Sequence, residues 1–172
     1  MTLMMTDAIR LFLFPALMAF AAFSDLFTMT ISNRVSMLLV AGFLVMAVLV
    51  GMGGADILSH MGAGLAVLAV TFTLFACGWI GGGDAKLAAA TALWLGFDPL
   101  LDYLLYASIF GGVLTFAILR YRGAPLPALL QGQDWALRLH RADEGVPYGI
   151  ALAGAAFAVY PQTVWMKPLG IG

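Results

Sequence analysis

The sequence predicts an all-α, polytopic membrane protein built as a bundle of about six transmembrane helices. Of its 172 residues, 63% are hydrophobic and only 10% are charged. A soluble domain carries more polar surface than that. The apolar residues also gather into stretches approaching the ~20 residues that carry a helix across a bilayer. A single chain in lipid satisfies its backbone internally, so each stretch reads as helix. Six spans leave no room for a soluble domain of useful size. The net charge of −1 and the lack of a basic stripe leave no case for nucleic acid as a partner.

The apolar stretches fall at residues 8–31, 35–52, 61–80, 86–97, 100–119 and 146–165. Small residues recur along them, among them Gly62, Gly64, Ala88, Ala92, Gly111, Gly112, Gly149 and Ala153. Such residues let helices approach closely in a membrane. The fourth stretch is short for a span and follows Gly81, Gly82 and Gly83. Consecutive glycines disfavour regular helix, so the helix is expected to begin near Asp84. Irregular backbone below the headgroups is tolerated where it lines protein or a wet cavity. That places a polar site at Asp84. The run around Ala19-Phe20-Ala21 has some look of a cleavable leader, but Asp7 spoils its basic flank and apolar character continues past it.

Six spans put loops one, three and five on one face. Those loops carry Arg34, Lys86, Arg120, Arg122, Arg138 and Arg141, whereas the other face carries only Arg10 and Lys167. The positive-inside rule makes the odd loops cytoplasmic and both termini external. Asp25 precedes Arg34 by about 13 Å of helix, so Asp25 and Asp84 are expected near the same, cytoplasmic, side. Residues at about 120–145 form the one long polar loop, readable as a surface amphipathic helix or as an irregular connection.

An intramembrane carboxylate is costly and persists where it lines a cavity, pairs, or does chemistry. Two carboxylates held close cannot both ionise comfortably, so one stays protonated beside a charged partner. The charged member can take a proton from water while the protonated one polarises a carbonyl. This chemistry needs neither metal nor cofactor. Cys77 is the single cysteine and reads as a small packing residue; His60 and His140 stand apart from each other and from any HExxH pattern. No serine-nucleophile motif occurs. Asp84 also suits a helix N-terminal cap. Lys86 reads as a membrane-edge anchor, Asn33 as a cap or stop of the first helix, and Asp56, Asp98 and Asp102 as solvated.

Gly81-Gly82-Gly83-Asp84-Ala85-Lys86-Leu87 resembles the GxGD signature of prepilin peptidases. Asp25 with Ile31-Ser32-Asn33 resembles their first catalytic segment, and Pro147-Tyr148-Gly149 their last-helix block. Ser32 and Ile150 stand where that family has proline. The resemblance implies one transmembrane peptidase domain over residues 1–172, with catalytic Asp25 and Asp84. Gly81, Gly83, Lys86, Asn33, Pro147, Tyr148 and Gly149 would support them. It implies an aspartic endopeptidase of the short Tad/Flp (Cpa)-type form in the bacterial inner membrane. Its substrate would be the leader of a type IV pilin-like (Flp-type) precursor, cut at the cytoplasmic face. The paired-cysteine domain of the longer relatives is missing. Assembly into a homo-oligomer, and methylation of the new N-terminus, stay open.

The competing readings are a small proton-coupled transporter and another GxGD intramembrane protease. Transporters often carry internal repeats, and no second copy of either aspartate block is apparent in the other half. Presenilin-like proteases need more spans than this chain supplies.

Overall fold

The computed structural model describes residues 2–167, which fold into helices with no strand. Seven α-helices follow in order: α1 Thr2–Thr28, α2 Asn33–Leu49, α3 Gly54–Ala76, α4 Gly82–Leu95, α5 Leu100–Arg122, α6 Asp134–His140 and α7 Gly149–Val159. Short 3-10 turns occupy Ala128–Leu130 and Tyr160–Gln162. The segments Thr6–Thr28, Gly54–Ala76 and Leu100–Arg122, 23 residues each, are long and apolar enough to cross a membrane. Helices α2 and α7 are shorter apolar neighbours. Large apolar side chains such as Phe12, Leu58, Phe72, Leu101 and Val113 point outward, as a lipid-facing surface requires.

Helix α4 is the centre of the bundle. It has only 14 residues, yet Ala85 and the whole run from Leu87 to Leu95 are buried. It packs chiefly against α3 and α2, and α7 also touches it. A helix shielded by its neighbours need not match the bilayer thickness, so the short fourth stretch fits. Away from its N-terminus α4 is anchored by aromatics. The Trp94 indole N–H donates to the Leu39 carbonyl at 2.7 Å, and Trp165 donates to the Trp94 carbonyl at 2.6 Å. Phe14 and Phe43 flank Trp94.

Several expectations shift. Helix α1 stops at Thr28 rather than running to residue 31, and Asn33 opens α2 rather than ending α1. Ser32 is the cap of α2, accepting from the Arg34 amide at 3.3 Å. Ser32 thus starts the helix by a side-chain hydrogen bond, where proline would have done so by its fixed φ. Gly82 and Gly83 are helical, because α4 starts two residues before Asp84. Cys77 is exposed at the end of α3, so it does not fill the core. The long polar loop is mostly irregular. Only α6 and one turn are helical, with Ala136 and Leu139 buried and Leu129 exposed.

Candidate active site at the Asp25–Asp84 end

The site begins with how α1 ends. Met29 adopts a left-handed φ of 53°, an uncommon conformation for a residue with a Cβ. The turn is held by hydroxyls: Ser24 Oγ donates to the Thr30 carbonyl at 2.9 Å, and Thr28 Oγ1 to the Ser24 carbonyl at 2.7 Å. The chain is thereby turned back, and Ile31 lies against α4 and α7. A Cβ on Gly83 would sit 3.1 Å from Ile31 Cβ, and one on Gly149 would sit 2.9 Å from Ile31 Cδ1. Both glycines are therefore dictated by close approach.

Asp25 is buried, with 5% exposure. The Gly149 amide at the start of α7 donates to its Oδ2 at 2.7 Å. A side chain at position 149 would come within 2.9 Å of that same oxygen. The free amides and positive dipole end of α7 thus meet the carboxylate directly. Asp84 is also held at a helix N-terminus, its own. It is the third residue of α4, and it reaches back to the Gly81 amide at the N-cap position. Its Oδ1 is buried and makes no hydrogen bond. Asp84 lies close enough to Asp25 for their charges to interact, and it also feels Tyr148 and Tyr103.

The remaining motif residues lie at the same end of the bundle. Lys86 Nζ donates to Asn33 Oδ1 at 2.9 Å, joining the start of α4 to the start of α2. The expected anchor is therefore also a link between two of the three sequence blocks. Pro147 is buried, and Tyr148 is half-buried with its hydroxyl donating to the Ala107 carbonyl at 3.1 Å. The Tyr148 ring lies over Gly111, where a Cβ would fall 2.0 Å from the hydroxyl oxygen. Gly111 read in sequence as a packing glycine; it is the seat of Tyr148. Tyr103 was missed altogether. It is fully buried, and its hydroxyl makes no hydrogen bond among the described residues. A tyrosine inside an apolar stretch offered no signal for this.

The long loop closes over the same end. Arg122 donates to the carbonyls of Leu139, Glu144 and Gly145, and Arg138 to that of Phe27. Trp135 meets Phe27 edge-on at 6.0 Å. At the opposite end a polar cavity of about 420 Å³ is lined by Arg10, Asp56, His60, Asp98 and Lys167. His60 Nδ1 pairs with the Leu93 carbonyl at 2.8 Å. His60 thus belongs to the opposite end, whereas His140, at the end of α6, stacks edge-on against Tyr121.

Fold and site together define a class: a polytopic helical membrane protein with two carboxylates at one end, Asp25 held by the start of α7 and Asp84 in the first turn of α4. The family model of the type IV leader peptidase family matches residues 12–116. The chain belongs to that family and is accordingly a membrane peptidase. The match spans Asp25, Asn33, the glycine run, Asp84 and Lys86; Pro147, Tyr148 and Gly149 lie beyond it. No curated protein and no solved structure compared with the chain matches it.

Proposed function

We propose that the protein is an aspartic endopeptidase that removes the leader of type IV pilin-like, Flp-type precursors at the cytoplasmic face of the bacterial inner membrane. Asp25 and Asp84 act as one dyad. The observation that carries this reading is the convergence of Asp25, Asp84 and Gly149 from three distant segments, with one Asp84 oxygen buried and unpaired. A buried carboxylate oxygen without a donor is expensive unless the group holds a proton or meets a ligand there.

The steps follow from the pair. The ionised carboxylate removes a proton from a water molecule. The protonated carboxylate donates a hydrogen bond to the scissile carbonyl as the water oxygen adds to its carbon. The tetrahedral carbon then collapses, the C–N bond breaks, and the leaving nitrogen takes the proton that the base had gained. The glycine run lets Ile31 and Phe75 pack directly on the start of the helix that carries Asp84. The cytoplasmic assignment is supported by six of the eight Lys and Arg residues lying at the dyad's end.

Co-expression with Flp-type precursors tests the reading, with leader removal followed by gel shift and by sequencing of the new N-terminus. Cleavage by the wild type and none by Asp84→Asn is the expected outcome. Full cleavage by that variant would end the dyad assignment. A cysteine placed in loop three, in a Cys77→Ser background, should resist an impermeant thiol reagent added to intact cells.

A further inference from the structure

On the side of α4 that faces away from the two carboxylates, α2 and α3 both pack on α4 but leave a groove between them. The groove has a volume of about 730 Å³. Its floor is Ala89, Ala90 and Leu93, and its walls include Val40, Leu44, Leu65 and Leu68. At 3.6 residues per turn these floor residues project roughly 140–240° round α4 from Asp84. The peptide bond cut at the dyad therefore does not lie here. The polar lining gathers at one end, in Asn33, Ser36 and Lys86. That end carries the excess of basic residues. Lys86 is exposed, its hydrogen-bond partner is the neutral Asn33, and it makes no ion pair among the described residues. Arg34, also exposed, adds a second positive charge at the start of α2.

We propose that this groove is a site for an anionic phospholipid, its phosphate on Lys86 and Asn33 and its acyl chains along α4 between α2 and α3. Charge complementarity selects the headgroup, since a basic pocket between membrane helices on the positive side attracts an anionic one. The apolar lining selects the chains. Beyond its polar end the groove is lined by Met37, Val40, Leu44, Leu65 and Leu68, the apolar surface that acyl chains require. The occupied groove would brace the back of the helix that carries Asp84.

Native mass spectrometry of the purified full chain, titrated with phosphatidylglycerol or phosphatidylcholine of identical chains, tests this. The wild type should retain the anionic lipid about fivefold better, the worth of one lysine near the membrane surface. Lys86→Gln should lose that preference and Lys86→Arg should keep it. Ala41→Phe, at an exposed position on the groove wall, should weaken retention of both lipids. Glycerol phosphate without chains should not displace the lipid. Equal retention of the two lipids by the wild type would overturn the proposal. So would a preference that survives Lys86→Gln, or full displacement by glycerol phosphate. A dimer mass abolished by Ala41→Phe would give the groove to a second copy instead. Release of the lipid by a precursor peptide would give it to the substrate.

Discussion

Helices α3 and α4 begin alike, at opposite ends of the bundle. Each has a glycine N-cap followed by glycine and, at the third helical position, an aspartate: Gly53-Gly54-Ala55-Asp56 and Gly81-Gly82-Gly83-Asp84. In both, the aspartate turns back toward its N-cap glycine, whose Cβ, if present, would meet the carboxylate at 3.2 Å and 2.9 Å respectively. A carboxylate there satisfies free amides and the helix dipole. The resemblance ends at that point. Asp56 is exposed beside a polar cavity. Asp84 has a buried, unpaired oxygen and lies within electrostatic reach of a second carboxylate, Asp25. Capping by itself is therefore no sign of chemistry; what separates the two is what α1 and α7 bring to α4. The copy at Gly53-Gly54-Ala55-Asp56 is no second functional block, because its aspartate is exposed.

The sharpest way to break the comparison is to make the same change at both ends. Asp84→Asn and Asp25→Asn should each lower cleavage by at least about a hundredfold, the scale of a lost general acid or base. The double variant should be no worse, since the two act as a unit. Asp56→Asn should leave cleavage unchanged. An Asp84→Asn enzyme with near-normal turnover would reduce Asp84 to a cap like Asp56.

The pH profile separates the two ends next. A dyad sharing one proton loses its base when both carboxylates are protonated and its acid when both are ionised. Cleavage should therefore fall on both sides of an optimum, with limbs that belong to the pair. Asp56→Asn should keep the same bell. A profile with a single limb would contradict a shared proton.

Close approach gives a third test. Gly149→Ala pushes a methyl toward Asp25 and Ile31, and overpacking of this kind costs about 1–3 kcal/mol. It should lower cleavage strongly while the protein stays in the membrane. Gly54→Ala, with open space around it, should do nothing to cleavage. Normal activity in Gly149→Ala would show that Asp25 does not depend on the start of α7.

The smallest effect is expected at the caps themselves. Gly53→Ala and Gly81→Ala each replace a favoured N-cap glycine, and each should cost less than about 1 kcal/mol in thermal unfolding. Only Gly81→Ala should also reduce cleavage, because its added methyl displaces Asp84. Equal kinetic effects would erase the distinction between the helices.

The helices and the two candidate aspartates stood out in the sequence because each leaves a local mark. Apolar stretches mark spans, Lys and Arg mark one face, and carboxylates stand out against an apolar background. Asn33 was misplaced because a short turn and a Ser cap look, in sequence, like the fraying end of one long helix. Gly111 was read as packing because only tertiary contact shows which side chain it admits.

By itself the sequence determined a helical membrane peptidase fold and a short list of polar residues, since periodicity and hydropathy act over neighbouring residues. The sequence already set Asp84 apart from Asp56; only the tertiary structure showed how Asp25 is held at the same end. That outcome depends on a left-handed turn at Met29, on Ile31 lying against Gly83 and Gly149, and on the Gly149 amide reaching Asp25 from 124 residues away. Contacts over such separations leave no periodic trace in the chain, because they come from how helices pack rather than from how each one forms.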